Sequence, residues 1–427
     1  MKKLLIFAEH VFTVISLLLY SGGPLTVILS GGANEGDEES GAVPQTDSSL
    51  ILILFFVNYI ITFCLLILRW KKVVYVADKN RWLAALVGIA VLSVFWSSDP
   101  VQTVKRGIAI VGTTLFGFYL ASRYTITEQL RLFTWMYLVA ILLSFVFIAA
   151  LPKYGIMGGV HEGKWRGIYN HKNTLGKVIS PGIIILLLQA SGSRKNRFIL
   201  WFLFSLAFLL LLRASSTSSL LNVVVVIAAS FCFRAIRWRE EKMITSIIST
   251  LTIGSSLYFL LSVNSEAFLA ALGKEPTLTG RGDMWPYIFE MIWKSPLLGY
   301  GYGAFWYGPS TPSFYIWQAT GWTPPNSHNG FLDLWLYIGL IGLALFIFEY
   351  LIITLPRALI WVRLSKTSEG FWPILYMTYM ILANLSESTL MIQNDIFWVF
   401  YVAIAFSVPF PPKHKLSQAN DNCPKRT

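Results

Sequence analysis

The sequence predicts an all-α polytopic membrane protein of about 12 transmembrane helices. Three observations predict it. The composition is 55% hydrophobic and 13% charged, against about 45–50% apolar and 25% charged usage in soluble domains. The mean hydropathy is +0.60. Apolar runs recur from end to end, each close to the about 20 residues a helix needs to cross a bilayer core. A single integral membrane domain then fills residues 1–427.

The chain begins "MKKLLIFAEHVFTVISLLLYSGG", the outline of a signal peptide. Glu9 and His10 interrupt its apolar core and no small-x-small cleavage site follows, so it reads as a retained first helix. Spans are expected near 10–30, 50–69, 82–96, 103–121, 132–150, 172–190, 198–213, 217–234, 244–263, 328–350, 371–386 and 393–410. Lys and Arg are retained on the cytoplasmic side. The N-terminus, "RWKKVVYVADKNR", "SRYTITEQLR", "RKNR", "RAIRWREEK", "PRALIWVRLSK" and a tail at 411–427 hold most of the 34 Lys and Arg and are placed there. The first outward loop, "GGANEGDEESGAVPQTD", has none. The net charge of +12 therefore follows from topology and does not call for nucleic acid. Cys64 and Cys232 sit in apolar runs and Cys423 in the tail, with no Cys/His spacing suited to a metal.

The longest connection, 264–327, is expected to face outward. Loops beyond about 12–15 residues are usually functional or disordered, and "WPYIFEMIWKSPLLGYGYGAFWYG" is too aromatic for disorder. Trp285, Ile288, Phe289 and Ile292 recur at helical spacing, which predicts a short amphipathic helix ended by Lys294-Ser295-Pro296. Trp285, Tyr302 and Trp306 suit either a sugar path or the membrane interface.

Basic residues on the outward side carry the chemistry, since topology alone would exclude them. In "WRGIYNHKNTLGK", Arg166, Asn170, Asn173 and Lys177 form one polar stripe if the helix starts before Arg166, and Lys172 lies among them. Such a stripe faces protein or a water-filled cavity, or its cations snorkel to headgroups. Arg281, in "LTGRGDMWPYIF", stands at a helix start, where a guanidinium and free N–H groups make an anion site. His328, in "PPNSHNGFLDLW", reads either as a first-turn residue behind an Asn326 or Ser327 cap or as a general base, neutral at pH 7. Arg213 ends the seventh span, and Glu387 and Asp99 mark two further outward mouths, each suited to capping, ion pairing or holding a hydroxyl.

"WSSDPVQTVKR", "RGIYNHKNTLG", "TGRGDMW…SPLLGYGYGAF" and "NSHNGFLDLWLYIGLIG" occur in this order around the one long loop. The chain in this respect resembles the O-antigen ligase and Wzy-type polymerase family, and within it exopolysaccharide polymerases of the ExoQ type, over roughly residues 80 to 405. The resemblance implies a GT-C-like fold in the bacterial inner membrane with an outward-facing site. It implies a glycan donor on polyprenyl (undecaprenyl) diphosphate, a glycan acceptor, an inverting transfer without metal or other cofactor, and possible association with a chain-length regulator. Arg281 and His328 match the family's loop arginine and its histidine. The diphosphate would then lie on Arg281 with Arg166, Lys172 or Arg213, and His171, Asn173, Glu387 and Asp99 would complete the neighbourhood. One departure stands out: the family's third arginine is replaced by Ser216-Thr217 in "LLLRASSTSSLL", with Arg213 three residues earlier. O-antigen ligase, protein O-glycosyltransferase, and, from another class, a lipid-linked glycan flippase or a non-enzymatic assembly subunit are the alternatives.

Overall fold

Inside a bilayer, backbone N–H and C=O groups find no water, so apolar runs must satisfy them within helices. The computed structural model describes residues 2–32, 49–245, 281–306 and 308–410. The ninth expected span from residue 246 onward, loop residues 264–280, most of the acidic loop and the tail 411–427 lie outside the described residues. The helices are α1 (Lys2–Tyr20), α2 (Ser49–Ile67), α3 (Trp70–Ala77), α4 (Arg81–Leu92), α5 (Pro100–Arg123), α6 (Ile126–Ala150), α7 (Lys172–Gly192) and α8 (Arg197–Ala214). They continue as α9 (Thr217–Phe233), α10 (Arg281–Lys294), α11 (Ser313–Thr320), α12 (Gly330–Phe348), α13 (Leu355–Leu364), α14 (Trp372–Asn384) and α15 (Ile396–Ser407). Extended pairing among the described residues is limited to an isolated bridge between Ile156 and Trp165. The fold is all-α and polytopic.

By length and composition, eight described helices can cross a membrane, or up to nine if α3 and α4, bent by 92°, count as one span. Every other expected span meets a helix, with three adjustments. The first helix starts well before residue 10 and stops at Tyr20, where Ser21-Gly22-Gly23-Pro24 breaks it. The α4 helix ends in a 3₁₀ turn over Ser93–Trp96. The last two spans are short: α15 has 12 residues, a rise of about 18 Å against a core of about 30 Å. All of α15 is buried, which explains why it is apolar on every side.

The depth α15 leaves over is occupied by irregular backbone at 385–395. Such backbone is tolerated only where protein encloses it and pairs its polar groups. Tyr302 donates to the Met391 carbonyl at 2.6 Å, Asn394 N–H to Thr113 Oγ1 at 2.9 Å, and Thr389 N–H to Asn384 Oδ1 at 2.9 Å.

A second interruption joins three of the four sequence motifs. The α12 helix kinks at Ile338 and Gly339, and residues 296–301 insert beside the break. Tyr300 and Gly301 N–H donate to the Leu336 and Tyr337 carbonyls at 2.8 and 3.0 Å, while Leu340 N–H donates to the Pro296 carbonyl at 2.8 Å. Gly339 has φ 69°, and a Cβ there would stand 2.0 Å from the Leu297 carbonyl oxygen. Only glycine fits. The "WSSDP" segment covers the other side: Trp96 Nε1 donates to the Leu298 carbonyl at 2.8 Å and Ser98 N–H to the Tyr300 carbonyl at 2.9 Å.

At the opposite end of the bundle, Glu9 pairs with Arg69 at 2.7 Å and Arg123 at 3.1 Å. The acid that interrupts the first apolar run thereby ties the middle of α1 to the C-terminal ends of α2 and α5.

Candidate active site

The start of α12 is built by short polar side chains. Asn329 is the N-cap, its side chain accepting from Phe331 and Leu332 N–H at 3.0 and 3.3 Å. The expected cap at Asn326 or Ser327 is therefore displaced, because His328 takes a left-handed conformation with φ 53° just ahead of the helix. Asn326 Oδ1 accepts the His328 N–H at 2.9 Å, and Ser327 Oγ donates to the Asn329 carbonyl at 2.7 Å. The imidazole is half-buried beside Trp322, ring centroids 6.5 Å apart and planes 25° from parallel.

Beneath this turn lies Asp333, 1% exposed. Its carboxylate accepts from Trp306 Nε1 at 2.8 Å, from Ser327 N–H at 3.1 Å and from the Ser388 hydroxyl. A buried acid needs such donors. Close approach of α12 and the end of α14 is permitted by Gly330, where a Cβ would meet Asn384 Oδ1 at 2.0 Å.

The α10 helix docks on the same turn: Trp285 Nε1 donates to the Ser327 carbonyl at 3.1 Å. Arg281 opens α10, about one turn before Trp285; its side chain lies outside the described residues. The buried face of α10 is Met284, Ile288, Met291 and Ile292, with Phe289 41% exposed. It is rotated from the expected face, and Trp285 is turned to its bond with Ser327. Trp306 and Tyr302 are buried donors within the scaffold and do not line an open sugar path.

From Ser388 the polar belt continues to Glu387, whose Oε2 lies 3.2 Å from Lys177 Nζ, the two side chains 12% and 20% exposed. Lys177 belongs to α7. That helix starts at Lys172 behind an N-cap at His171, so Arg166 and Asn170 precede it and the expected four-residue stripe is not helical at its beginning. His171 Nδ1 accepts the Asn173 N–H at 3.1 Å, Lys172 Nζ donates to Asn173 Oδ1 at 3.1 Å, and the His161 ring stands edge-on to His171 at 5.4 Å. Burial first, then the positive charge of Lys172 and the neighbouring His161 and Lys177, push the His171 imidazole down to about 4. At neutral pH it is uncharged, with its proton on Nε2 and available to donate.

Arg166 sits differently from the diphosphate ligand expected of it. It is fully buried, and its guanidinium donates to the carbonyls of Tyr154 at 2.9 Å, Asn170 at 3.3 Å, Gly32 at 2.8 Å and Lys153 at 2.8 Å. A cation in that cage holds loops together. Arg213 ends α8 exposed, its guanidinium 4.9 Å over the Trp165 ring. Asp99 caps α5, accepting from Gln102 N–H at 3.0 Å.

The structure thus gathers His328, the start of Arg281's helix, Glu387, Lys177 and, through α7, Lys172, His171 and Asn173. Asp333, Ser388 and Trp322 escaped the sequence reading. Asp333 carried a signal, as the acid inside the apolar run that follows His328. Among the described residues, no group of three or more His, Cys, Asp or Glu is placed to hold a metal ion.

Fold and site together define a multi-pass helical membrane protein with a belt of hydrogen-bonding and charged side chains around the start of α12. Residues 201–347, from α8 into α12, match the family model described as O-antigen ligase. The chain is also 27% identical over 302 residues to the exopolysaccharide production protein ExoQ of Rhizobium meliloti (strain 1021), a match covering 66% of this chain and 66% of that protein. The resemblance carried by the four motifs is borne out.

Proposed function

We propose that the protein is a membrane glycosyltransferase that moves a glycan from a polyprenyl diphosphate carrier to an acceptor sugar hydroxyl, extending an exopolysaccharide or O-antigen. In this reading His328 takes the proton from the acceptor hydroxyl, and the oxygen attacks the anomeric carbon with inversion. The bond from that carbon to the diphosphate oxygen breaks, and the lipid diphosphate leaves with the electron pair. Arg281, with Lys172 and Arg213, balances the charge that develops on the leaving group, as the resemblance implies without metal. Lys177 joins this set, and Arg166 is reassigned to holding the loop that precedes α7.

The observation that carries the reading is one continuous belt. It runs from α10 through Ser327 and Asp333 to Ser388 and the Glu387–Lys177 pair, so a base and a set of cations share one end of the bundle. The match to a protein named for exopolysaccharide production favours polymerase over O-antigen ligase or protein glycosyltransferase. A flippase would need its substrate-contacting polar groups near mid-span; the belt of Ser327, Asp333, Ser388, Glu387 and Lys177 lies near the ends of α7, α12 and α14. Arg69 and Arg123 at the opposite end support an outward-facing site with cytoplasmic termini.

The test is turnover by purified protein of a lipid-linked repeat unit, read as released lipid diphosphate and elongated glycan. Arg281→Ala and His328→Ala, each still reaching the membrane, are expected to lose about 10²-fold or more. Normal product from either variant contradicts the assignment.

A further inference from the structure

We infer that Asp333 is a positioning residue for the reaction: it sets His328 and the Lys177–Glu387 pair in register with each other. The inference rests on the glycosyltransferase reading. Asp333 is buried in the first turn of α12, and its contacts come from three separate segments: Trp306 from the long connection, Ser327 from the turn that carries His328, and Ser388 from the irregular backbone that carries Glu387. Indole and backbone N–H groups can only donate, so Oδ1 accepts from both Trp306 and Ser327 while Oδ2 faces the Ser388 hydroxyl. Ser327 in turn accepts Trp285 through its carbonyl at 3.1 Å. One carboxylate therefore fixes both neighbours of the reaction centre: Ser327 precedes His328, and Ser388 follows Glu387. It also holds His328 in a left-handed conformation that a non-glycine residue adopts only when its surroundings impose it.

The geometry makes a graded prediction. In Asp333→Asn the amide oxygen still accepts from Trp306 and Ser327, and the amide NH₂ meets a Ser388 hydroxyl that can rotate to accept. The connections survive while the charge is lost. In Asp333→Ala all three are lost. Misplacement of a reacting group by about 1 Å costs on the order of 10²-fold in rate.

The experiment measures kcat and the donor KM of purified, monodisperse variants in nanodiscs, per folded molecule. Asp333→Ala is expected to lose about 10²-fold in kcat with the donor KM within about threefold, and Asp333→Asn to recover to within about fivefold of the wild type. If Asp333→Ala does not fold, Ser388→Ala and Trp306→Phe each remove one donor and are expected to lower kcat about three- to tenfold at unchanged donor KM. An Asp333→Asn protein as inactive as His328→Ala would overturn positioning in favour of a role for the charge itself. Wild-type kcat per folded molecule in Asp333→Ala, or in both single-donor variants, would overturn it in favour of a purely structural role. His328→Ala, run in parallel, separates the two failures: full activity there sinks the function reading, whereas an inactive His328→Ala beside a normal Asp333→Ala sinks only the positioning role.

Discussion

Gly339→Ala should dislodge the long connection from α12. The added Cβ would stand 2.0 Å from the Leu297 carbonyl oxygen and 2.4 Å from the Leu298 nitrogen, both backbone atoms that cannot swing aside. The residue also has φ 69° and ψ −174°, a region open essentially to glycine alone, which costs about 1–3 kcal/mol for any other residue. To relieve the overlap, residues 296–298 must retreat by roughly 1 Å, enough to break the bonds from Leu340 and Ile341 N–H to the Pro296 and Leu297 carbonyls. Buried bonds of this kind contribute about 1 kcal/mol each. The sum is about 3–5 kcal/mol, and the unfolding midpoint of the detergent-solubilised protein should fall by roughly 5 °C or more. The same retreat shifts Tyr300 and Tyr302, so polymer formation should fall as well. Gly88→Ala is the control: a Cβ there meets nothing within 4 Å, and alanine in mid-helix is favourable by about 0.5–1 kcal/mol. A Gly339→Ala protein with the midpoint of Gly88→Ala and normal polymer would refute the reasoning.

Three further outcomes are expected. Lys177→Met removes the ion pair to Glu387 and a positive charge from the proposed donor site. The donor KM should rise about tenfold, and Glu387→Gln in the same chain should restore stability without restoring KM; an unchanged KM in the single variant would remove Lys177 from the site. His171 has a folded value near 4, below its unfolded value of about 6.5, so the unfolded state binds more protons between those limits. Its contribution to stability is fully present above about pH 6.5 and is lost as the pH falls towards 4, and His171→Gln should flatten the fall in thermal stability between pH 6.5 and 5. An identical pH dependence in the variant would contradict that. Arg166→Lys cannot reach the four carbonyls a guanidinium spans; the midpoint should drop while the donor KM of the surviving protein stays unchanged. A raised KM at normal stability would return Arg166 to the diphosphate.

Much of the architecture was legible in the residues because hydropathy reports burial from water, and the order of the four motifs marked where chain segments meet. Hydropathy does not separate lipid from protein, so α14 and α15 read as full spans although protein surrounds them. His328 and Arg281 stood out as polar residues at the edges of apolar or amphipathic runs. Arg166 stood out for the same reason and proved to be caged by carbonyls from residues 32, 153, 154 and 170. Charge is written in a sequence; the convergence of three backbone segments is not. Asp333 was hidden inside the run that followed His328, since its meaning lies in Trp306 and Ser388, far away along the chain. The insertion at Gly339 was equally hidden, because a glycine in an apolar run reads as a packing residue until a partner backbone is seen against it.

One measurement bears most directly on the function. Purified protein in nanodiscs is given a lipid-linked repeat unit, and lipid diphosphate and elongated glycan are quantified together by mass spectrometry for the wild type and His328→Ala. Equal molar release of lipid diphosphate and formation of new glycosidic bonds by the wild type, with both abolished in His328→Ala, is the predicted result. Glycan elongation by His328→Ala at the wild-type rate, or movement of the intact lipid-linked unit across the bilayer with no bond formed, would contradict it.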